Sequence, residues 1–364
     1  MGKLTLTAEM LGRSRLFDGN PYRLAKLFEK ARRGEKITYV ALGGSITQRY
    51  NASSAELCYA ALIAKWLGNT FGNAETEYIN AGIGATGSLI ALHRLKRDVL
   101  AYKPDLVTVE FAVNEGSSDF ITEVYDNLIA NILNSDSKPA VVSICMVNSR
   151  GGSAQDSHEK VCRYYGVPLI SYKNAVWQEI EAGRLSWSDV SDDLVHPNDA
   201  AHALTAQLVT DYFKSVLRLE PKDMAEHILS SPLINSDYKN AAMYYTGDIT
   251  PLSIGCFTVD KVDLNKMPNG WVAYENGAPL IFEFENCRRI YILFERTNKG
   301  DGGRAEVLAG ERRTVLDADF KDGWGVYSNH ELVFKAESPE RVRLEIKPTL
   351  EKGRHFAVAG IMVS

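Results

Sequence analysis

Up to about residue 220 the chain alternates short apolar runs with longer stretches in which apolar residues recur every three or four positions. The runs at about 37–42, 77–80, 105–111, 140–145 and 167–171 read as strands, with Pro104 at the entrance of the third. Helical spacing covers about 21–33, where Leu24, Leu27, Phe28 and Ala31 share one face, and then about 55–70, 88–100, 119–133, 155–165 and 172–181. A last helix starts after Pro197 and runs to about Leu217. Strands and helices alternating in this way form a parallel sheet covered on both faces. Residues 21–220 are therefore expected to make an α/β domain behind an N-terminal arm of residues 1–20.

Past Pro221 the pattern changes. From about 250 the apolar residues alternate with polar ones in short segments: Leu280-Ile281-Phe282-Glu283-Phe284, Arg289-Ile290-Tyr291-Ile292-Leu293-Phe294, Arg304-Ala305-Glu306-Val307-Leu308, Leu332-Val333-Phe334 and Val342-Arg343-Leu344-Glu345-Ile346. Turn signals such as Asn276-Gly277 and Lys299-Gly300-Asp301-Gly302-Gly303 separate them. This predicts an all-β sandwich of jelly-roll type over residues 249–364, joined to the first domain by a linker at 221–248.

A length of 364 residues suits two domains, and 45% hydrophobic with 24% charged residues is ordinary for a globular protein. The net charge of −5 and the lack of a dense Lys/Arg block argue against a nucleic-acid partner. Arg32-Arg33 and Arg312-Arg313 read as solvated faces. No run approaches the roughly 18 apolar residues of a membrane helix, so no membrane partner is expected. The opening Met1-Gly2-Lys3-Leu4-Thr5-Leu6 lacks the basic segment and long apolar core of a signal peptide. The five cysteines, Cys58, Cys145, Cys162, Cys256 and Cys287, show no Cys-x-x-Cys spacing. Free thiols in a reducing compartment are the simplest account, so the expectation is a cytoplasmic protein without disulfides or zinc.

The candidate chemistry begins where the strand at 37–42 runs into Gly43-Gly44-Ser45. Two glycines permit a tight turn and leave the serine at the carboxyl end of a buried strand, where open α/β sheets place ligands. A serine hydroxyl becomes a nucleophile only when a base takes its proton, and a third group must orient the base. Of the seven histidines, His93, His158 and His202 lie within helices, and His227, His330 and His355 fall in the linker or the β region. His196 stands apart, in the loop Asp192-Asp193-Leu194-Val195-His196-Pro197-Asn198 that leads into a helix. Asp193, three residues earlier, can set its carboxylate against imidazole Nδ1, leaving Nε2 for the serine. The plainer reading, in which Asp193 caps a turn and His196 is a satisfied polar residue, loses weight beside the Gly-Gly-Ser turn.

Acyl transfer also needs donors aimed at the developing oxyanion. Asn114, ending the strand in Phe111-Ala112-Val113-Asn114-Glu115, offers a neutral amide, unless it is a plain turn residue. The loop Asn80-Ala81-Gly82-Ile83-Gly84-Ala85-Thr86-Gly87 offers backbone N–H groups. Its Gly82-x-Gly84-x-x-Gly87 spacing also matches the dinucleotide fingerprint, which makes a nucleotide-dependent enzyme a remote alternative. The match is weak, because a complete strand-turn-helix precedes it and the acidic candidate Asp105 stands before its strand.

Four blocks in order, around Ser45, the Gly82–Gly87 loop, Asn114 and Asp193-x-x-His196-Pro197, resemble the SGNH (GDSL) hydrolase superfamily over about residues 21–217. The resemblance implies a three-layer, flavodoxin-like α/β/α fold and a Ser-His-Asp mechanism without metal or cofactor. Ser45 would be the nucleophile, His196 the base and Asp193 its orienting acid. The N–H groups of Ser45 and Gly84, with the Asn114 side chain, would form the oxyanion hole, although Ala85 can replace Gly84 in register. Gly44 stands where the name-giving motif has aspartate, and Ala112-Val113-Asn114-Glu115 replaces Gly-x-Asn-Asp.

The superfamily cleaves many esters, so the substrate is argued separately. A β-sandwich that resembles carbohydrate-binding modules, and the absence of a long apolar lid, lean toward sugar esters. The layout resembles carbohydrate esterase family 17, which acts on acetylated manno-oligosaccharides. Trp324, in Asp322-Gly323-Trp324-Gly325-Val326-Tyr327, is the candidate for stacking on a sugar; the alternative is that Trp271 and Trp324 are both core. The competing functions are a lipase or thioesterase and a sugar-binding protein without turnover.

Overall fold

A computed structural model describes residues 5–228 and 231–364. Met1 to Leu4 of the opening segment, and residues 229 and 230 of the expected linker, lie outside the described residues. The chain divides into two compact units, Met1–Ser236 and Asp237–Ser364.

The first unit runs α1 (Ala8–Ser14), β1 (Arg15–Phe17), α2 (Tyr22–Arg32), β2 (Ile37–Gly43), α3 (Ser45–Gln48), α4 (Tyr59–Thr70), β3 (Thr76–Gly82), α5 (Ser88–Asp98), β4 (Leu106–Glu110), α6 (Asp119–Leu133), β5 (Ala140–Cys145), α7 (Gln155–Tyr165), β6 (Leu169–Ser171), α8 (Tyr172–Glu181), α9 (Trp187–Val190) and α10 (Asp199–Val216). The sheet order is β1-β6-β5-β4-β2-β3, with every pair parallel except β1 against β6. β2, β4 and β5 are buried along their whole length, as helices on both faces require. One face is covered by α5, α6 and α7 in series; α2, α4, α8 and α10 supply the aliphatic and aromatic core of the other.

β2 lies between β3 and β4, so the chain winds away from it in both directions. A crevice opens at the carboxyl ends of strands at such a switch point. Gly43-Gly44-Ser45 and the loops after β3 and β4 all emerge there. Asp105 lies at the opposite end of the sheet, where it accepts the Thr38 N–H at 2.9 Å and pairs with Lys30 at 2.6 Å. It is therefore a cap on the start of β2 and cannot serve a nucleotide in the Gly82–Gly87 loop.

One local expectation, the helix over 55–70, needs correction, and two short regions gain structure that the pattern does not signal. The N-terminal arm is structured from α1 onward: Thr7 caps α1 through the Met10 N–H at 3.2 Å, Arg13 reaches the carbonyls of Asn174 and Ala175, and β1 becomes the sixth strand. The helix expected over 55–70 is broken at Cys58, which is extended (φ −61°, ψ 141°), because the Tyr59 N–H turns to His202 Nδ1 at 3.3 Å. A short helix, α9, lies in the loop before Asp193.

The second unit contains β7 (Ala242–Tyr244), β8 (Thr258–Leu264), β9 (Met267–Ala273), β10 (Leu280–Arg296), β11 (Arg304–Ala309), β12 (Arg312–Asp317), β13 (Tyr327–Thr349) and β14 (Phe356–Val363). All pair antiparallel in the order β12-β11-β13-β10-β14-β9-β8, and β7 adds to β14. The sheet curls over a core that includes Trp271, Phe282, Phe294 and Phe356. The two segments read at 280–284 and 289–294 are one strand, β10, interrupted by an irregularity where Asn286 takes φ +53°. Likewise 332–334 and 342–346 both belong to β13.

Glu110, the last residue of β4, is fully buried, and no cation pairs with its carboxyl among the described residues. Burial, reinforced by repulsion from Glu115, pushes its pKa from 4.5 up to about 8. A carboxyl raised in the folded state favours folding below its unfolded value and loses that contribution as pH rises through the folded value. Melting temperature should therefore fall between pH 5 and pH 8.5, by on the order of 5–10 °C. Glu110→Gln should abolish that fall, which thermal melts across the range will test.

Candidate active site

β2 delivers Gly43 and Gly44 to the switch point, and Ser45 opens the short helix α3. The second glycine is needed for space: a Cβ on Gly44 would lie 2.6 Å from Asn114 Oδ1 and 3.1 Å from its Nδ2. The turn is held from beneath by the buried Arg94 of α5, which donates to Gly43 O at 3.3 Å and to Ala81 O at 2.7 Å. Arg94 also pairs with Asp98 at 3.0 Å.

Ser45 Oγ lies 2.9 Å from His196 Nε2, and His196 Nδ1 lies 2.7 Å from Asp193 Oδ2. The other Asp193 oxygen accepts the backbone N–H groups of Val195 and His196, each at 2.7 Å. Burial opposes ionisation of Asp193, but the N–H groups of His196 and Val195 and the imidazole outweigh it and hold its pKa below the usual carboxylate value. The loop is fixed by Ser191 Oγ and Asn51 Nδ2, which donate to His196 O at 2.7 and 3.1 Å, and by the Asn198 cap of α10. A serine, an imidazole and an ionised carboxylate in this order can pass a proton from Oγ to Nε2 while the resulting imidazolium is held in place.

Asn114 stands beside them after β4. Its Oδ1 is buried without a partner, and among the described residues nothing accepts from Nδ2, so the amide N–H groups are available to a ligand. Glu115 anchors this loop: Oε2 accepts the Ser88 N–H at 3.0 Å and its hydroxyl at 2.8 Å, and Oε1 bonds buried His158 Nε2 at 3.0 Å. The N-terminus of α5 is thereby already occupied by a carboxylate, which leaves no seat there for a pyrophosphate.

The glycine loop after β3 also reaches Ser45: a Cβ on Gly84 would lie 3.7 Å from Ser45 Cβ. Its N–H, however, donates to Gln48 Oε1 at 2.5 Å and is not free as the oxyanion role requires. Ala85, the alternative in register, is exposed and takes φ +56°; among the described residues its N–H has no acceptor. A non-glycine residue in the left-handed region is uncommon and concentrates at functional sites. Trp324 belongs to the second unit, where it is 79% exposed and stacked on Tyr327 (centroids 5.1 Å apart, planes 13° apart). Trp271, by contrast, is buried against Phe282.

Sequence reasoning missed Gln48, Glu115 and His158. Glu115 carried a signal, since it fills the last position of the Gly-x-Asn-Asp block. Gln48 follows Ser45 by one helical turn, so its side chain returns to the same face. Among the described residues no group of three or more His, Cys, Asp or Glu side chains is arranged to hold a metal ion, and no helix is long and apolar enough to cross a membrane.

A proton-relay serine beside amide donors, at the switch point of a parallel sheet, defines a serine ester hydrolase. Comparison with known proteins sharpens the class. The model of the GDSL-like lipase/acylhydrolase family matches residues 41–204, a span that includes every triad and oxyanion candidate. A solved two-domain esterase active on acetylated mannans is 30% identical, with a TM-score of 0.89 over 95% of this chain and 96% of that one. A second structure of such an esterase, co-crystallised with mannopentaose, is 29% identical, with a TM-score of 0.87 over 95% of each chain. No curated protein matches the chain. The chain belongs to the SGNH (GDSL) hydrolases.

The Gly44–Asn114 contact can be tested directly. Gly44→Ala should remain folded by circular dichroism and lose on the order of 10²-fold in kcat on a short acyl ester, because the added methyl displaces the amide. Unchanged kcat would show that the contact is not needed.

Proposed function

We propose that this protein is a serine esterase that removes acetyl groups from acetylated oligosaccharides, in particular manno-oligosaccharides. The observation that carries the reading is the Ser45–His196–Asp193 chain, at 2.9 and 2.7 Å, beside the open amide of Asn114. The substrate class is supported by likeness along both units to the esterase active on acetylated mannans. It is supported also by the exposed Trp324 ring, whose face suits the C–H surface of a pyranose.

In this reading Ser45 Oγ attacks the acetyl carbonyl carbon as its proton passes to His196 Nε2. Asp193 holds the imidazolium. The oxyanion receives hydrogen bonds from the Ser45 N–H, Asn114 Nδ2 and one N–H of the loop after β3. We assign that third donor to Ala85, since Gln48 already occupies the Gly84 N–H. The C–O bond to the sugar then breaks, and His196 returns its proton to the departing oxygen. Water, deprotonated by the same imidazole, attacks the acetyl-enzyme and releases acetate.

Ser45→Ala should abolish acetate release from acetylated manno-oligosaccharides while the protein stays folded. Asn114→Ala should lower kcat by on the order of 10²–10³-fold. Full activity of Ser45→Ala would overturn the mechanism. A preference for long acyl chains over acetyl, in a series of aryl esters, would replace the substrate reading with a lipase or thioesterase.

A further inference from the structure

Tyr50 packs its ring on the imidazole of His196, with centroids 4.2 Å apart and planes tilted by 40°. It is nevertheless 58% exposed, and among the described residues its phenol oxygen makes no hydrogen bond. Packing of the interior does not account for a tyrosine in that position. The backbone on either side is forced: Arg49 has φ +97° and Asn51 has φ +65°, both in the left-handed region. Such conformations persist only where the surroundings over-determine them.

Here the surroundings do so. The Tyr50 N–H donates to Ser45 O at 2.9 Å, and Asn51 Nδ2 donates to His196 O at 3.1 Å. Ser53 gives its N–H and its hydroxyl to Asp199 at 2.8 and 2.6 Å. His202 accepts the Tyr59 N–H on Nδ1, so its proton sits on Nε2 and is donated to Tyr50 O at 3.3 Å. Burial holds the pKa of His202 down to about 4, which keeps that tether neutral near pH 7. Each bond ties the Tyr50 loop to the nucleophile, to the base or to the helix that follows the base.

The direction of the chemistry says what the ring faces. The acyl half of an ester lies toward the Ser45 N–H and Asn114. The alcohol half leaves by taking its proton from His196 Nε2, so its oxygen must come within about 3 Å of that atom. A ring packed at a tilt against the same imidazole lies beside the alcohol half. We infer that Tyr50 determines specificity for the leaving alcohol, presenting its exposed ring to the pyranose that carries the acetyl group. The inference rests on the esterase reading above and adds a subsite to it.

The experiment compares ethyl acetate, cyclohexyl acetate and an acetylated manno-oligosaccharide, with kcat and KM measured for wild type, Tyr50→Ala and Tyr50→Phe. In Tyr50→Ala the kcat/KM ratio of oligosaccharide to ethyl acetate should fall about tenfold or more, mainly through KM, with cyclohexyl acetate between them. Tyr50→Phe should restore the ratio, since the ring face is kept. A loss equal on all three esters would overturn the inference and make Tyr50 a prop for His196; so would no loss at all. If wild type cleaves no sugar ester, the substrate reading fails, and the cyclohexyl-to-ethyl ratio still decides the role of Tyr50.

Discussion

The backbone of Gly44 and the amide of Asn114 occupy space that a single methyl group would fill, and the rest of the site is arranged around that contact. β2 and β4 are neighbours in a parallel sheet, so their loops leave side by side from the same edge. The contact converts this adjacency into a defined distance between a hydroxyl and an amide donor. Arg94 holds the turn from below through two carbonyls of adjacent strands. The glycine at 44, where related motifs carry aspartate, thus has a local steric reason apart from any substrate preference.

Two further side chains carry this geometry outward. Glu115 fastens the Asn114 loop to the start of α5 and to buried His158, and Gln48 fastens the glycine loop to the helix that bears Ser45. The loops after β2, β3 and β4 are therefore bound to one another by side chains as well as by the sheet. A group that must receive a developing negative charge gains most from donors that are already in place and need not reorganise. The buried Glu110 fits the same logic, because burial keeps it neutral near pH 7 and spares the oxyanion a second negative charge close by.

Much of this was legible in the residues. Strands such as β2 and β5 announce themselves as buried β-branched runs, and Ser45 and Asn114 after strands, with Asp193 and His196 in one loop before a helix, combine residue types that few structural roles would bring together. What escaped depends on contacts made across the fold. The apolar period continues through Cys58, so only the pull of His202 on the Tyr59 N–H reveals the break. α1 and β1 are too short to signal alone and are held by Arg13 reaching α8. In β10 the polar Glu285-Asn286 step interrupts the alternation without ending the strand. Gln48 is an unremarkable residue type whose role exists only because the glycine loop comes back over α3.

Asp193 and His196 are three residues apart on one loop, joined by the side-chain contact and by the His196 N–H, with a further bond from the Val195 N–H to the same carboxylate. Their mutual geometry is consequently local, decided by a handful of covalent links and indifferent to most of what happens between residues 46 and 192. Acid and base thus form one short segment, which Asn51 and Ser191 dock against the serine. Insertions in the intervening loops can remodel the mouth of the crevice, and with it the choice of ester, while proton transfer is inherited intact.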